Sequence, residues 1–159
     1  MVALAKRHDI ALFCYGTVAG GFLSDRWLGK IEPEHPLENR SLTKYKLIID
    51  DLGGWDLFQA LLQALRKIAD RHATDIATIA SAAMLRRPGV SAVIVGARNR
   101  DHLSSNLAIA SVTLSDADLA EIDAALVGAR ELMGDVYTLE RDRTGRHGSI
   151  MKYNLNKGE

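Results

Sequence analysis

The sequence predicts an α/β fold in which helices predominate over two parallel strands. Three observations carry that prediction. A short unbroken apolar run, Ile10 to Tyr15 (IALFCY), and a second, largely apolar one, Val90 to Val95 (VSAVIV), suit strands buried on both faces, as in a parallel sheet. Between them the apolar residues recur at helical spacing. Strand, helices, strand in that order makes a parallel crossover unit, which is right-handed by the usual rule. Two strands alone are too few for an independent sheet, and that shortage is the main puzzle of the sequence.

Taken in order, the first strand gives way to GTVAGGFLSDRWLGKIEPEHPLENRS, which holds two of the three prolines and reads as a long loop. Loops of this length inside a domain are usually functional or mobile. Leu42 to Leu52 forms a helix that Gly53 and Gly54 end. From Trp55 onward, Phe58, Leu61, Leu62, Leu65, Ile68 and Ala69 mark one face of a second helix. Thr74 serves as the N-cap of a third, running through Met84 and Leu85 to RRPG. There Pro88 lacks an amide hydrogen and biases Arg87 away from the helical region.

After the second strand, Asn99 or Asp101 caps a helix whose Leu103 and Leu107 face inward. LSDADLAEIDAAL opens with Ser115 and carries Asp118 three residues on, a capping box in which Asp replaces the usual Glu or Gln. Leu119, Ile122 and Leu126 form its apolar stripe. Beyond Gly128 the pattern fades. Residues 1–128 therefore read as one structural part and 129–159 as a tail that packs on something, a site included.

Composition narrows the function. With 47% hydrophobic and 25% charged residues in 159, the chain is a soluble globular protein and not a disordered one. Lys+Arg and Asp+Glu are both 20, so overall charge points to neither nucleic acid nor an anionic membrane surface. No run has the length that spans a bilayer. A single cysteine, Cys14, excludes an internal disulfide and suits a reducing compartment, so a cytoplasmic protein is expected. The five histidines lack metal-ligand spacing, and there is no G-x-S-x-G and no Walker loop.

The most informative stretch is SAVIVGARNRDHLSSNL, Ser91 to Leu107. A helix start offers unpaired amides and partial positive charge. Gly96 and Ala97 let a ligand approach the backbone, and Arg98 and Arg100 add full charges, which makes an anion site, for phosphate above all. The same glycine also serves strand-to-helix turns for geometry alone, so the residues by themselves leave both readings open.

AVIVGARNRDHLSSNL resembles the cofactor-binding segment at the eighth strand of aldo-keto reductases, of the form (I/V)-P-G-A-(R/S)-x-x-x-Q-(L/V)-x-x-N. LRKIADRHATDIATIASAAMLRRPGVSAVIVGAR looks like that family's seventh helix running into its eighth strand. IALFCYGTVAGGFLSDRWLGK resembles its seventh strand and following loop, Y-(S/G)-P-L-x-x-G-x-L-(T/S)-G-K. The similarity runs from about Ile10 to Leu126 and is specific in combination.

The resemblance implies the C-terminal βαβα portion of an eight-stranded (β/α) TIM barrel, with the site at the C-terminal ends of the strands. It implies reduction of aldehydes and ketones by NADPH, with NADH possible. Tyr15 matches the aromatic residue that stacks on the nicotinamide, and Gly16, Thr17 and Val18 the loop beside the pyrophosphate. Gly96, Ala97, Arg98 and Asn99 match the segment around the adenosine ribose and its 2′-phosphate, and Asn106 the asparagine at the adenine edge. Four positions depart from the pattern. Thr17 and Val95 replace proline, His102 replaces Gln or Arg, and Ser105 replaces a frequent Glu. His102 still donates a hydrogen bond, and the lean to NADP over NAD rests chiefly on Arg98.

No catalytic residue is assigned. The family's proton-donating tyrosine and its lysine, aspartate and histidine partners lie on strands whose counterparts are not found here. Tyr45, Tyr137 and Tyr153 read as packing or surface residues, and Asp50-Asp51 and ERDR as solvated charge. Lys30 and His147 read as solvated loop residues, and Cys14 as a buried strand residue. The chain is thus expected to be the C-terminal portion of a longer reductase, the portion that supplies most of the cofactor cradle. The alternatives are a non-catalytic dinucleotide-binding module and a structural fragment. Strands without the rest of a barrel leave unpaired edges, so self-association or pairing with another chain is expected.

Overall fold

The computed structural model describes residues 2–97, 100–131 and 136–151. Seven helices and two strands occur among them, in the order α1 (Val2–Arg7), β1 (Leu12–Tyr15), α2 (Arg40–Leu52), α3 (Trp55–Arg71), α4 (Ile76–Leu85), β2 (Val90–Ile94), α5 (Leu103–Ala108), α6 (Asp116–Ala125) and α7 (Val136–Arg141). The fold is helix-rich α/β. The strands pair in parallel, with Cys14 opposite Val93 and Tyr15 opposite Ile94.

The core lies in the helical layer. α3 packs against α4, α6 and α2, and encloses Leu62, Leu65, Ile68 and Ala69 together with Ile76 and Ile79 of α4 and Ile122 of α6. This is the face that the spacing from Phe58 predicts. The Ser115–Asp118 capping box is also present, with Ser115 Oγ accepting from the Asp118 amide at 3.1 Å and Asp118 Oδ2 accepting from the Ser115 amide at 2.9 Å.

The strands differ from expectation. They are not buried on both faces: one face meets α4, while Phe13 and Tyr15 are each 64% exposed and Ile94 57%. α4 packs against one side of β2, while on the other side Tyr137 beside Tyr15 gives only local cover, so the alternate residues of the apolar runs are left bare.

The connection from Gly16 to Asn39 is not a loose loop. Its Phe22 is fully buried in a ring cluster with Trp27, Trp55 and Phe58, at centroid separations of 4.8 to 6.0 Å. Polar clasps fix it further. Gln59 Nε2 donates to the Trp27 carbonyl at 2.9 Å, and Gln59 Oε1 accepts from the Gly29 amide at 2.8 Å. Trp55 Nε1 donates to the Lys30 carbonyl at 2.8 Å, so this lysine's role in the fold is through its backbone. Asp25 pairs with Arg66 and accepts from the Ile76 amide at 3.1 Å.

Three helix starts also shift. α2 begins at Arg40, where Asn39 Oδ1 accepts from the Leu42 amide at 3.0 Å. The cap of α4 is Asp75, not Thr74: Asp75 Oδ1 reaches the Thr78 amide at 2.7 Å, while the Thr74 carbonyl is held by Arg66 at 2.6 Å. α5 is preceded by a short 3-10 turn and has His102 at its cap position without a side-chain bond, so Asp101 does not cap it; Asn99 lies outside the described residues. Its inward face is Ser105, Asn106 and Ile109, which leaves Leu103 and Leu107 exposed at 51% and 70%.

The charges read as solvated are largely paired. Asp51 accepts from His147 Nε2 at 2.5 Å and from Arg146 at 3.1 Å; Asp50 binds the buried Lys46 ammonium at 2.5 Å and Arg146 at 3.3 Å. Glu140, from ERDR, is buried and pairs with Lys44. His147 is buried as well. Apart from the Lys46–Asp50 pair within α2, these pairings join α2 to the tail.

Candidate functional site

A cavity of about 860 Å³ opens where the C-terminal ends of β1 and β2 lie side by side, within the usual range of small-molecule sites, about 300–1,000 Å³. Parallel pairing places Tyr15 and Ile94 together at that end, with Gly16 and Val95–Gly96 immediately beyond them. The remaining walls are Val18 to Trp27 of the connection, the first turns of α2 and α4, and the Ser105, Asn106 and Ile109 face of α5.

Of the residues singled out in the sequence, Tyr15, Gly16, Thr17, Val18, Gly96, His102 and Asn106 line this cavity. Ala97 is exposed and off its wall, as is Arg100. Arg98 and Asn99 lie outside the described residues. Residues separated by about eighty positions thus meet in one opening.

Local interactions hold the wall in place. Thr17 Oγ1 and Ser81 Oγ are 2.9 Å apart, which ties the exit of β1 to α4. Asn106 Nδ2 donates to the Gly96 carbonyl at 3.0 Å and closes the turn after β2. An Asn amide carries a second N–H and a carbonyl, so that bond does not exhaust it. Gly16 sits at φ +71°, and a Cβ there would fall 2.0 Å from the Tyr45 hydroxyl. Only glycine suits both demands. It lets Tyr45 pass close beneath the backbone that the ligand would follow.

Sequence reasoning missed Tyr45, Lys44, Arg26 and Ser41, all on the cavity wall. Lys44 and Tyr45 lie on α2 between the buried Leu42 and Lys46, and no motif marks them. Arg26 lies over Trp27 at 5.4 Å and faces Glu38 at 3.5 Å, both at the solvent side. Lys44 lies over the Tyr45 ring at 5.7 Å. Burial alone would lower the Lys44 ammonium's pKa, but the hydrogen bond and charge of Glu140 outweigh it, and the group stays above its ordinary range. The Tyr15 phenol is held above its ordinary value, first by its hydrogen bond with Tyr137. The wall therefore offers a phenol ring, bare glycine backbone, an arginine, an imidazole, and a lysine already matched by a carboxylate. Such a set has the chemistry to hold a long ligand with an aromatic end and phosphates.

Among the described residues no group of His, Cys, Asp and Glu could hold a metal ion. No described helix is long and apolar enough to cross a membrane.

Comparison with known proteins identifies the family. The model of the aldo/keto reductase family matches residues 1–127. The chain is 28% identical over 127 residues to Protein tas of Escherichia coli (strain K12), and to the same degree to Protein tas of Shigella flexneri. Each alignment covers 78% of this chain and 34% of the relative, so the chain spans about a third of their length.

Proposed function

The chain belongs to the aldo-keto reductase family, and we propose that its cavity is the dinucleotide-binding part of an NAD(P)H-dependent carbonyl reductase. The observation that carries this reading is the convergence of Tyr15 to Val18 with Gly96, His102 and Asn106 on one cavity at the C-terminal ends of parallel strands. That is where barrel enzymes of this architecture place their sites.

In this reading the Tyr15 ring stacks on the nicotinamide, and Gly16, Thr17 and Val18 run beside the pyrophosphate. Gly96 would meet the adenosine ribose from the cavity wall, the resemblance assigns Ala97, Arg98 and Asn99 to the same ribose and its 2′-phosphate, and Arg98 would favour NADP over NAD. Asn106 meets the adenine edge and His102 donates beside it. A dinucleotide held by these residues would supply hydride to the carbonyl carbon of an aldehyde or ketone. A general acid within hydrogen-bond reach of the carbonyl oxygen is still required, and we assign none in this chain. Tyr45 lines the cavity, but its hydroxyl is tucked against Gly16. Residues 1–128 would form part of the barrel and 129–159 a tail against the site. The single Cys14 suits a reducing compartment such as the cytoplasm. The bare face of the sheet, with Phe13 and Ile94, is where another copy or another chain would complete it.

Titration of the chain with NADPH and with NADH, followed by nicotinamide fluorescence, tests this reading. Saturable binding, tighter for NADPH and weakened about tenfold or more by Tyr15→Ala, is the expected result, the size of one lost stacking partner. Absence of saturable binding to either dinucleotide defeats the assignment. Turnover of a carbonyl compound by the purified chain alone would place an acid within it.

A further inference from the structure

The tail returns twice to the far end of α2. The Arg130 amide donates to the Leu52 carbonyl at 2.7 Å, and His147 and Arg146 bind Asp51. Between these two feet, α7 reaches the other half of the same helix, where Glu140 pairs with Lys44. Glu140 is 8% exposed, and Lys44 lines the cavity beside Tyr15. A buried carboxylate from the tail thus neutralises the one lysine on the described cavity wall.

We propose that Glu140 is a specificity-determining residue: by occupying Lys44 it makes the Tyr15 end of the cavity select uncharged carbonyl substrates over those bearing a carboxylate. This rests on the carbonyl-reductase reading above and adds the substrate's charge class to it. The physics is that of ion-pair exchange. A free lysine at this depth would attract a substrate carboxylate, but the resident pair must first be broken, and its carboxylate then left buried without its cation. An uncharged carbonyl compound meets no such penalty. The tail enforces the choice because both feet are fastened, so Glu140 is held near Lys44 at high effective concentration. Specificity built on an unfavourable alternative of this kind needs no contact with the preferred substrate.

Two ketones of similar size test it, 2-pentanone and levulinate (4-oxopentanoate), titrated into the whole chain and read by tryptophan fluorescence, since Trp27 lines the cavity. The wild-type chain should bind 2-pentanone more tightly. Glu140→Gln should shift the ratio of dissociation constants toward levulinate by about tenfold, as expected for one partly buried charge pair. Lys44→Gln leaves the carboxylate and should move the ratio the other way. It also carries the test if Glu140→Gln does not fold. An unchanged ratio in a cooperatively melting variant overturns the proposal, as does failure of every form to bind either ketone. NADPH titration of the same samples keeps the two readings apart: loss of dinucleotide binding with the charge-dependent ratio intact sinks only the first.

Discussion

Ile68 and Phe13 are both large apolar residues on regular elements, yet their surroundings are opposite. Ile68 lies on α3, which α2, α4 and α6 flank, and it is fully enclosed. Phe13 lies on β1, whose one strand partner among the described residues is β2, and it is 64% exposed. Intrinsic hydrophobicity does not separate them. The number of layers that reach each one does: a helix buries a stripe with neighbours on one side, while an all-apolar strand needs cover on two. The helical layer is therefore the part that sustains the fold, and the sheet is the part that awaits cover.

The comparison breaks first at Phe22. If the connection after β1 belongs to the helical core, Phe22→Ala should lower stability by about 3–4 kcal/mol, the usual loss for a fully buried aromatic, and a thermal melt would show it as a drop of many degrees. A melting point within a few degrees of wild type would put the connection outside the core. Asp118 comes next. Burial alone would raise its pKa, but hydrogen bonds from Arg71, from the Ser115 amide and hydroxyl, and from His72 hold the carboxyl well below the ordinary carboxylate range. A carboxyl depressed on folding contributes stability that is fully present above its unfolded value, about 3.9, and is lost as pH falls below that. Asp118→Asn should cost about 2 kcal/mol at neutral pH and flatten the acid limb of a stability-versus-pH curve. An acid limb as steep as wild type's would remove Asp118 from that role.

Gly16→Ala acts at the junction of the two regions. Backbone strain at φ +71° and the collision with Tyr45 should together cost about 1–2 kcal/mol and weaken NADPH binding. Wild-type stability with wild-type affinity would mean that Tyr45 has room to move aside.

How much of this was readable follows the same division. α3 was legible because Phe58, Leu62, Leu65 and Ile68 repeat at helical spacing, and the Ser115–Asp118 box because both partners sit within one turn. Seven cavity positions were legible through resemblance, which supplies what spacing lacks: which distant segments meet. Spacing could not show that Phe22 and Trp27 enter the core, since their partners on α3, Trp55 and Phe58, lie about thirty residues away and the connection has no period. The cap of α4 failed for a related reason. Thr74 and Asp75 are both capping types, and Arg66 and Asp25 from elsewhere decide between them. Glu140 and Asp51 looked solvated because each partner lies about a hundred positions off. Apolar runs correctly signalled strands, but the cover on both faces that they implied is not found among the described residues.

The smallest effect on stability is expected at Phe13, and there the two regions part most clearly. Because its ring is largely in solvent, Phe13→Ser should change the melting temperature of dilute protein little, within about 0.5 kcal/mol, the range of ordinary surface changes. Its effect should fall instead on association. An exposed aromatic beside an unpaired strand edge favours contact with another sheet, and a polar residue there opposes it. Sedimentation velocity across a concentration series should show wild-type chain self-associating and the variant shifted toward monomer. If both are monomers throughout, the bare face is tolerated as ordinary surface, and the layers that Ile68 enjoys are not what Phe13 lacks. If both associate equally, contact is made elsewhere, and the exposed edges and the outward Leu103 and Leu107 of α5 become the surfaces to alter next.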